Sequence, residues 1–300
     1  MAAKGRFHME ALIEKLESSS EYKVLKRLSP PHQYNPPDGT ATKVAVYIDL
    51  ETTGLNHETD EIIEIALVPF RYSTDGRIFE LLTPYNELQE PKSGPISEEI
   101  TKITGITNEI VKGRNIDLQN VIDCVSGASL IIAHNAEFDR KFAEAEFEIF
   151  NTKPWACSLK QIPWREEGLD SGKLEYLAMK SGFFYEAHRA TTDCYAGIEL
   201  LSQRLPNSGS LALQALLATA RKDSRRIWAE QAPFDFKDIL KSRGYRWNDG
   251  NDGRPKAWFC DVNEDALDDE LKFLNDEIYQ RNADLHVSKI SAFDRFSIRV

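Results

Sequence analysis

The sequence predicts a mixed α/β domain joined to a smaller α+β module. Three observations predict it. Residues 44–50, VAVYIDL, form a short β-branched and aromatic run, and two more strand-like runs follow closely. Strand-like and helix-like segments then alternate as far as residue 205, the pattern of a mixed sheet covered by helices. The last stretch changes character, to helix, glycine, strand, turn-rich loop, strand and helix, which describes a separate unit.

Taken in order, residues 8–28 place Met9, Leu12, Ile13 and Leu16 at helical spacing and predict an amphipathic helical arm. Residues 29–41, SPPHQYNPPDGTA, hold four prolines and a glycine and predict a linker without regular structure. The runs at 62–72 and 77–85 read as strands, with the hairpin signal STDG between them. Ser97 reads as the N-cap of a helix over 97–104, with Glu98 and Glu99 in its first turn. Helices are expected over 116–127, 136–150, 172–182 and 189–205, and strands over 129–134 and 155–159. Gly182 fits the C′ position of the third of these helices.

The composition is that of a globular chain, 41% hydrophobic and 28% charged. No apolar run is long enough to span a membrane, and residues 1–22 lack the apolar core of a signal peptide. The four cysteines, at 124, 157, 194 and 260, show no metal-site spacing. A reducing, cytoplasmic setting without disulfides is the expectation. The net charge of −11 argues against coating nucleic acid by bulk electrostatics. It leaves room for a local basic groove, or for bound cations that meet a phosphate.

Asp49 and Glu51 end the first strand on the same face, roughly 7 Å apart along the chain. Two carboxylates with reduced access to water raise each other's pKa unless a cation lies between them. Oxygen donors of this kind select Mg²⁺ or Mn²⁺. Thr52, Thr53, Gly54 and Leu55 follow, and Gly54 allows the backbone to approach a ligand. Asp139 lies in the first turn of a helix that Asn135 is placed to cap, with Phe138 and Phe142 one turn apart. An acidic residue there also complements the helix dipole. His188 and Asp193 are five apart, which separates them by ~140–150° on one helix. They converge only if His188 sits in a loop and Asp193 on the first turn after it.

In order along the chain, DLETTGL (49–55), GIT (105–107), IAHNAEFD (132–139) and HRATTDC (188–194) resemble the DEDDh (DnaQ-like) branch of the 3′–5′ exonucleases. That branch includes the proofreading epsilon subunit of bacterial DNA polymerase III and RNase T. The resemblance covers residues 44–205 and departs at no catalytic position. It implies an RNase H-like, five-stranded mixed sheet and hydrolysis of phosphodiesters with two Mg²⁺ or Mn²⁺ ions. It implies Asp49 as the bridging ligand, Glu51 and Asp193 on the ion nearest the attacking water, and Asp139 supporting the other. His188 is implied as the base, a task suited to imidazole. Thr52, Thr53 and Gly54 would seat the terminal nucleotide, and Leu55 and Phe138 would line its pocket. Asn135 either touches substrate or serves as a cap. The implied partner is nucleic acid with a 3′ end, single-stranded DNA first and RNA as an alternative. A proofreading subunit held by a DNA polymerase, a repair partner and a catalytically idle scaffold are the competing readings.

The expected division is an arm and linker at 1–42, the exonuclease domain at 43–206, a connecting helix at 207–232 and the small module at 233–300. In the module, Lys237, Lys241, Arg243, Arg246, Arg254 and Lys256 interleave with Tyr245, Trp247 and Trp258. Either the aromatics stack bases in a basic groove, or they form the module's core and the charges are solvated.

Overall fold

The computed structural model describes residues 2–300, with side chains from residue 10 onward. Met1 and the side chain of Met9, both part of the expected arm, lie outside the described residues. The arm begins with helix α1 (Ala2–Glu17), on which Leu12 and Leu16 are exposed. The helix does not continue to residue 28. Strand β1 (Lys26–Arg27) instead pairs in parallel with residues 183–184 of the domain. The proline-rich linker is irregular, as expected, but anchored: the Tyr34 N–H donates to Phe79 O at 2.7 Å and its hydroxyl to Glu199 at 3.0 Å.

The main sheet is built from β2 (Thr42–Thr52), β3 (Ile62–Ser73), β4 (Ile78–Leu81) and a short β5 (Tyr85–Leu88). The expected third strand over 77–85 is thus two strands, both paired with β3. After α2 (Glu98–Thr104), α3 (Asn108–Val111) and α4 (Leu118–Ser126) come β6 (Leu130–Ala133), α5 (Ala136–Glu146) and β7 (Trp155–Cys157). Five strands lie in the order β4-β3-β2-β6-β7, and β5 is a sixth beside β3. β2, β6 and β7 are parallel and β3 is antiparallel to β2, so the sheet is mixed.

Strand alternation explains why the run at 44–50 has no polar face. Ala45 and Tyr47 pack into one core with Ala66, Val68 and Ile132. Val46, Ile48 and Leu50 pack into a second core with Ile65, Leu67 and Ile131. The first core is closed by α6 (Leu174–Lys180), by α7 (Ala190–Ser202), which follows β8 (Phe183–Phe184), and by α8 (Ala212–Ala220). The second is closed by α4 and α5. The GIT element is structural: Gly105 ends α2 at φ 69, Ile106 is fully buried, and Thr107 caps α3 through Ile110 N–H.

The span 207–232 is helical only over α8. Ser224–Ala229 forms β9, a central strand of the module's sheet. The Arg225–Arg226 pair hides this strand in the sequence, because its partners, Glu264 and Asp261, lie about 40 residues on. The module continues with α9 (Lys237–Ser242), β10 (Arg246–Trp247), β11 (Trp258–Asn263), α10 (Leu267–Phe273) and β12 (His286–Ile290). Its antiparallel sheet runs β10-β11-β9-β12. Tyr245 and Trp258 are buried in its core, whereas Trp247 is half exposed.

The tail after β12 returns to the first domain. Arg140 on α5 is fully buried, paired with Glu144 at 2.7 Å, and donates to the carbonyls of Phe293 and Arg295 at 2.6 and 2.7 Å. Ser297 closes the network on Glu144 at 2.6 Å. A buried guanidinium is tolerated because each of its three nitrogens finds an acceptor. All four cysteines are free, and among the described residues no helix is long and apolar enough to cross a membrane.

Candidate active site

The carboxyl ends of the parallel strands β2 and β6 open at one edge of the sheet, where α/β sheets leave room for ligands. Asp49 and Glu51 stand at the end of β2. Asp139 comes from the first turn of α5, directly after β6, and Asp193 from the first turn of α7. Carboxylate oxygens of Asp49, Glu51 and Asp193 lie within 4.8 Å of one another. Asp139 falls outside that trio, yet its charge is the largest felt by Asp49 after burial itself.

Burial and crowding act together on these acids. Burial, then the charges of Asp139, Asp193 and Glu51, push Asp49 well above the usual carboxylate range. Burial, then Asp193, Glu64 and Asp139, push Glu51 up to about 8, against the pull of Arg189. Burial pushes Asp139 up to about 7, although its own N–H and that of Leu50 favour its charged form. Asp193 is raised by burial and held back by the Arg189 N–H at 3.1 Å, the Tyr185 hydroxyl at 3.0 Å and His188. The site therefore retains protons at neutral pH unless a cation replaces them. Converging hard oxygens, partly shielded from water, fit a divalent ion such as Mg²⁺ or Mn²⁺.

These carboxyls bind protons more tightly folded than unfolded. The stability they contribute is complete below about pH 4 and is lost as pH rises through 7 to 8. In EDTA, Tm is expected to fall by about 5 °C or more between pH 5 and 8. Adding Mn²⁺ at pH 8 should restore it. A Tm in EDTA that stays level over that range would show that the acids do not repel one another.

His188 lies in the exposed loop between β8 and α7, one turn before Asp193, with φ 62. The loop placement is the one the five-residue spacing requires. Histidine is among the few side chains found with any frequency at positive φ. Asn135 occupies the N-cap position of α5, but its side chain makes no capping bond. It is exposed and lines a recess of about 430 Å³ with Leu55, His57 and Phe138. Leu55 is 87% exposed at the tip of its loop. The loop is internally fixed: the Thr52 hydroxyl donates to Gly54 O at 2.6 Å, and the Thr53 N–H to Glu61 O at 2.9 Å. A side chain at position 54 would meet the Asp60 carboxylate at 2.5–2.6 Å, so Gly54 first of all makes room for Asp60.

Two residues escaped the sequence reading. Tyr185 orients Asp193, and nothing in its local sequence marks it. Glu64 is buried opposite Glu51 in the β2–β3 register, accepting from the Asn86 amide at 2.9 Å and from Ala190 N–H at 3.5 Å. Its signal was available, as the one acid inside the apolar run at 62–70. His134, in contrast, is structural. Burial lowers it to about 4, and its ring bridges Gly172 O at 2.7 Å and the Ser158 hydroxyl at 3.0 Å.

The exonuclease family model RNase_T matches residues 46–201. A PolC-type DNA polymerase III of Thermotoga petrophila is 40% identical over 129 residues, which cover 42% of this chain and 8% of that protein. The DNA polymerase III epsilon subunit of Treponema pallidum is 29% identical over 164 residues, covering 51% of this chain and 73% of that one. The chain thus spans under a tenth of the PolC-type polymerase it matches. Among solved structures, E. coli exonuclease I with a dA16 oligonucleotide has a TM-score of 0.48 at 17% identity, covering 78% of this chain and 71% of that one.

Proposed function

Because the chain belongs to the exonuclease family whose model spans residues 46–201, we propose that it removes nucleoside 5′-monophosphates from single-stranded or frayed 3′ ends, of DNA in the first place. The observation that carries this reading is the convergence of Asp49, Glu51 and Asp193 at the end of β2, with Asp139 alongside.

In this proposal Asp49, Glu51 and Asp193 would hold the metal ions, Asp49 serving both, and Asp139 would add its carboxylate beside them. When bound, Mg²⁺ or Mn²⁺, two per site, would supply Lewis acidity to the phosphate and the departing 3′ oxygen and make the water more acidic. His188 takes the proton from that water. Its exposed loop lets it approach as the strand arrives. Tyr185 and the Arg189 N–H keep Asp193 aimed at the site. The fixed backbone of Thr52, Thr53 and Gly54 seats the terminal nucleotide, and Leu55 and Phe138 pack on its base or sugar. Asn135, free of a capping bond, offers its amide to the substrate. A recess that wraps one nucleotide excludes a paired end.

We favour an enzyme acting alone, in cytoplasmic DNA repair or turnover, over a polymerase-held subunit. The support is the module and tail, which pack back on α5 through Arg140. Matched 5′-labelled DNA and RNA strands, incubated with Mg²⁺, Mn²⁺ or EDTA, test the function. The expected result is a metal-dependent ladder shortening from the 3′ end, faster on DNA. Intact strands under every metal would point to a binding subunit, and faster loss of RNA would reverse the sugar preference.

A further inference from the structure

A cleft of about 510 Å³ separates α5 from the sheet of the C-terminal module. It shares Glu137 and Lys141 with the recess formed by Leu55, Asn135 and Phe138. The recess proposed for the last nucleotide therefore adjoins the cleft, with Glu137 and Lys141 on their common wall. A strand whose 3′ end sits in that recess must leave it somewhere, and the cleft is the neighbouring concave surface.

The charge of the cleft is opposite to that of the whole chain. Lys141, Lys160, Arg246 and Arg254 line it with partly exposed heads. The first three converge on Glu137, Arg246 also lies 3.9 Å from Asp261, and Arg254 is paired with Asp252 at 3.2 Å and donates to Ile298 O at 2.8 Å, so the cations still outnumber the acids beside them. Arg246 also lies over the Phe259 ring, 4.9 Å from its centroid, which holds its guanidinium at the cleft wall. Arg226 and Arg295 line the same space but are buried and committed, one to Asp261 and the other to the carbonyls of Ala220 and Lys222.

A second, independent feature is Phe296. It lines the cleft, half buried, with φ 69 and its ring 5.9 Å from the Lys160 ammonium. A bulky residue at positive φ is strained, and such strain persists only where the surroundings impose it. Here both neighbours are pinned: Arg295 O accepts from Arg140 at 2.7 Å, and the Ser297 hydroxyl donates to Glu144 at 2.6 Å. The network that docks the tail on α5 thus also fixes Phe296 at the cleft wall, where its ring packs in part on the core closed by α4 and α5.

We propose that this cleft is the track for the nucleotides immediately 5′ of the terminal one. A base stacks on Phe296, and Lys160, Arg246 and Arg254 meet the phosphates. This rests on the exonuclease reading and assigns the C-terminal module its role. Basic heads beside an aromatic platform are what a single strand requires, whatever its sequence.

The test compares two substrates. The p-nitrophenyl ester of thymidine 5′-monophosphate fills only the terminal recess, whereas an oligo(dT) of about 12 nucleotides also reaches the cleft. Phe296→Leu keeps the apolar filling but removes the stacking face, and Phe296→Trp restores it. The leucine variant should raise KM for the oligomer about 10-fold, leave ester hydrolysis unchanged, and be rescued by tryptophan. The double variant Lys160→Gln/Arg254→Gln should reduce the slope of log(kcat/KM) against log salt by about 1.4, at ~0.7 for each phosphate left without its cation. Unchanged oligomer KM and salt slope in these variants would overturn the proposal, as would equal losses on ester and oligomer. A wild type that hydrolyses neither substrate would overturn the exonuclease reading and this track with it.

Discussion

Asp49→Asn is expected to lower kcat on a single strand by about 10³-fold or more, with a much smaller change in KM. The substitution preserves size and removes the charge common to both proposed ion sites, whereas the strand is held by groups elsewhere. Removing one preorganised electrostatic group at a reacting centre already costs about 10²–10³ in rate, and in the proposal Asp49 would serve two ions. The same change should stabilise the metal-free protein. Asp49 is raised by burial and by Asp139, Asp193 and Glu51, and removing one member of that group relieves the others. Single-turnover kinetics and thermal melts in EDTA at pH 8 read the two effects together. An active variant, or an inactive one that melts below the wild type, would mean that the acids are not a repelling, cation-dependent cluster.

His188→Asn is expected to reduce kcat by about 10²–10⁴-fold, the usual worth of a positioned general base. Asparagine is the informative choice because it tolerates the positive φ at this position, so the loss reports the ring and not the backbone. Mn²⁺ affinity should hardly change, since the ligands are carboxylates. The residual activity of the variant should climb with pH as hydroxide takes over the ring's task. A loss smaller than tenfold would assign the proton transfer to another group, and a parallel loss of Mn²⁺ affinity would make His188 a support for Asp193.

Most of the catalytic domain was legible because its signals are local. A strand buried on both faces must read as an unbroken apolar run, as residues 44–48 do, and two acids at the end of such a strand stand out. Helix geometry made a loop position the condition for His188 to meet Asp193, and His188 is in a loop. Other features depend on partners distant in sequence. Glu64 looks like a stray acid until β2 pairs with β3 and brings it opposite Glu51. β9 reads as a charged helix or linker because Arg225 and Arg226 are matched by acids on and after β11. Of the aromatics interleaved with basic residues in the module, Tyr245 and Trp258 belong to its core and Trp247 is half exposed, a division that depends on how β10 and β11 pair. Phe296 could not have been singled out, because its interest lies in a backbone angle set by Arg140 and Glu144, about 150 residues away.

The most direct measurement follows a single-stranded DNA labelled at its 3′ end, with Mg²⁺ present and the first products separated by size. The expected result is that all early label appears as nucleoside 5′-monophosphate, and that none is released in EDTA or by Asp49→Asn. Label released first in oligonucleotides, or released equally well without a divalent ion, would contradict a metal-dependent site that takes one nucleotide at a time from the 3′ end.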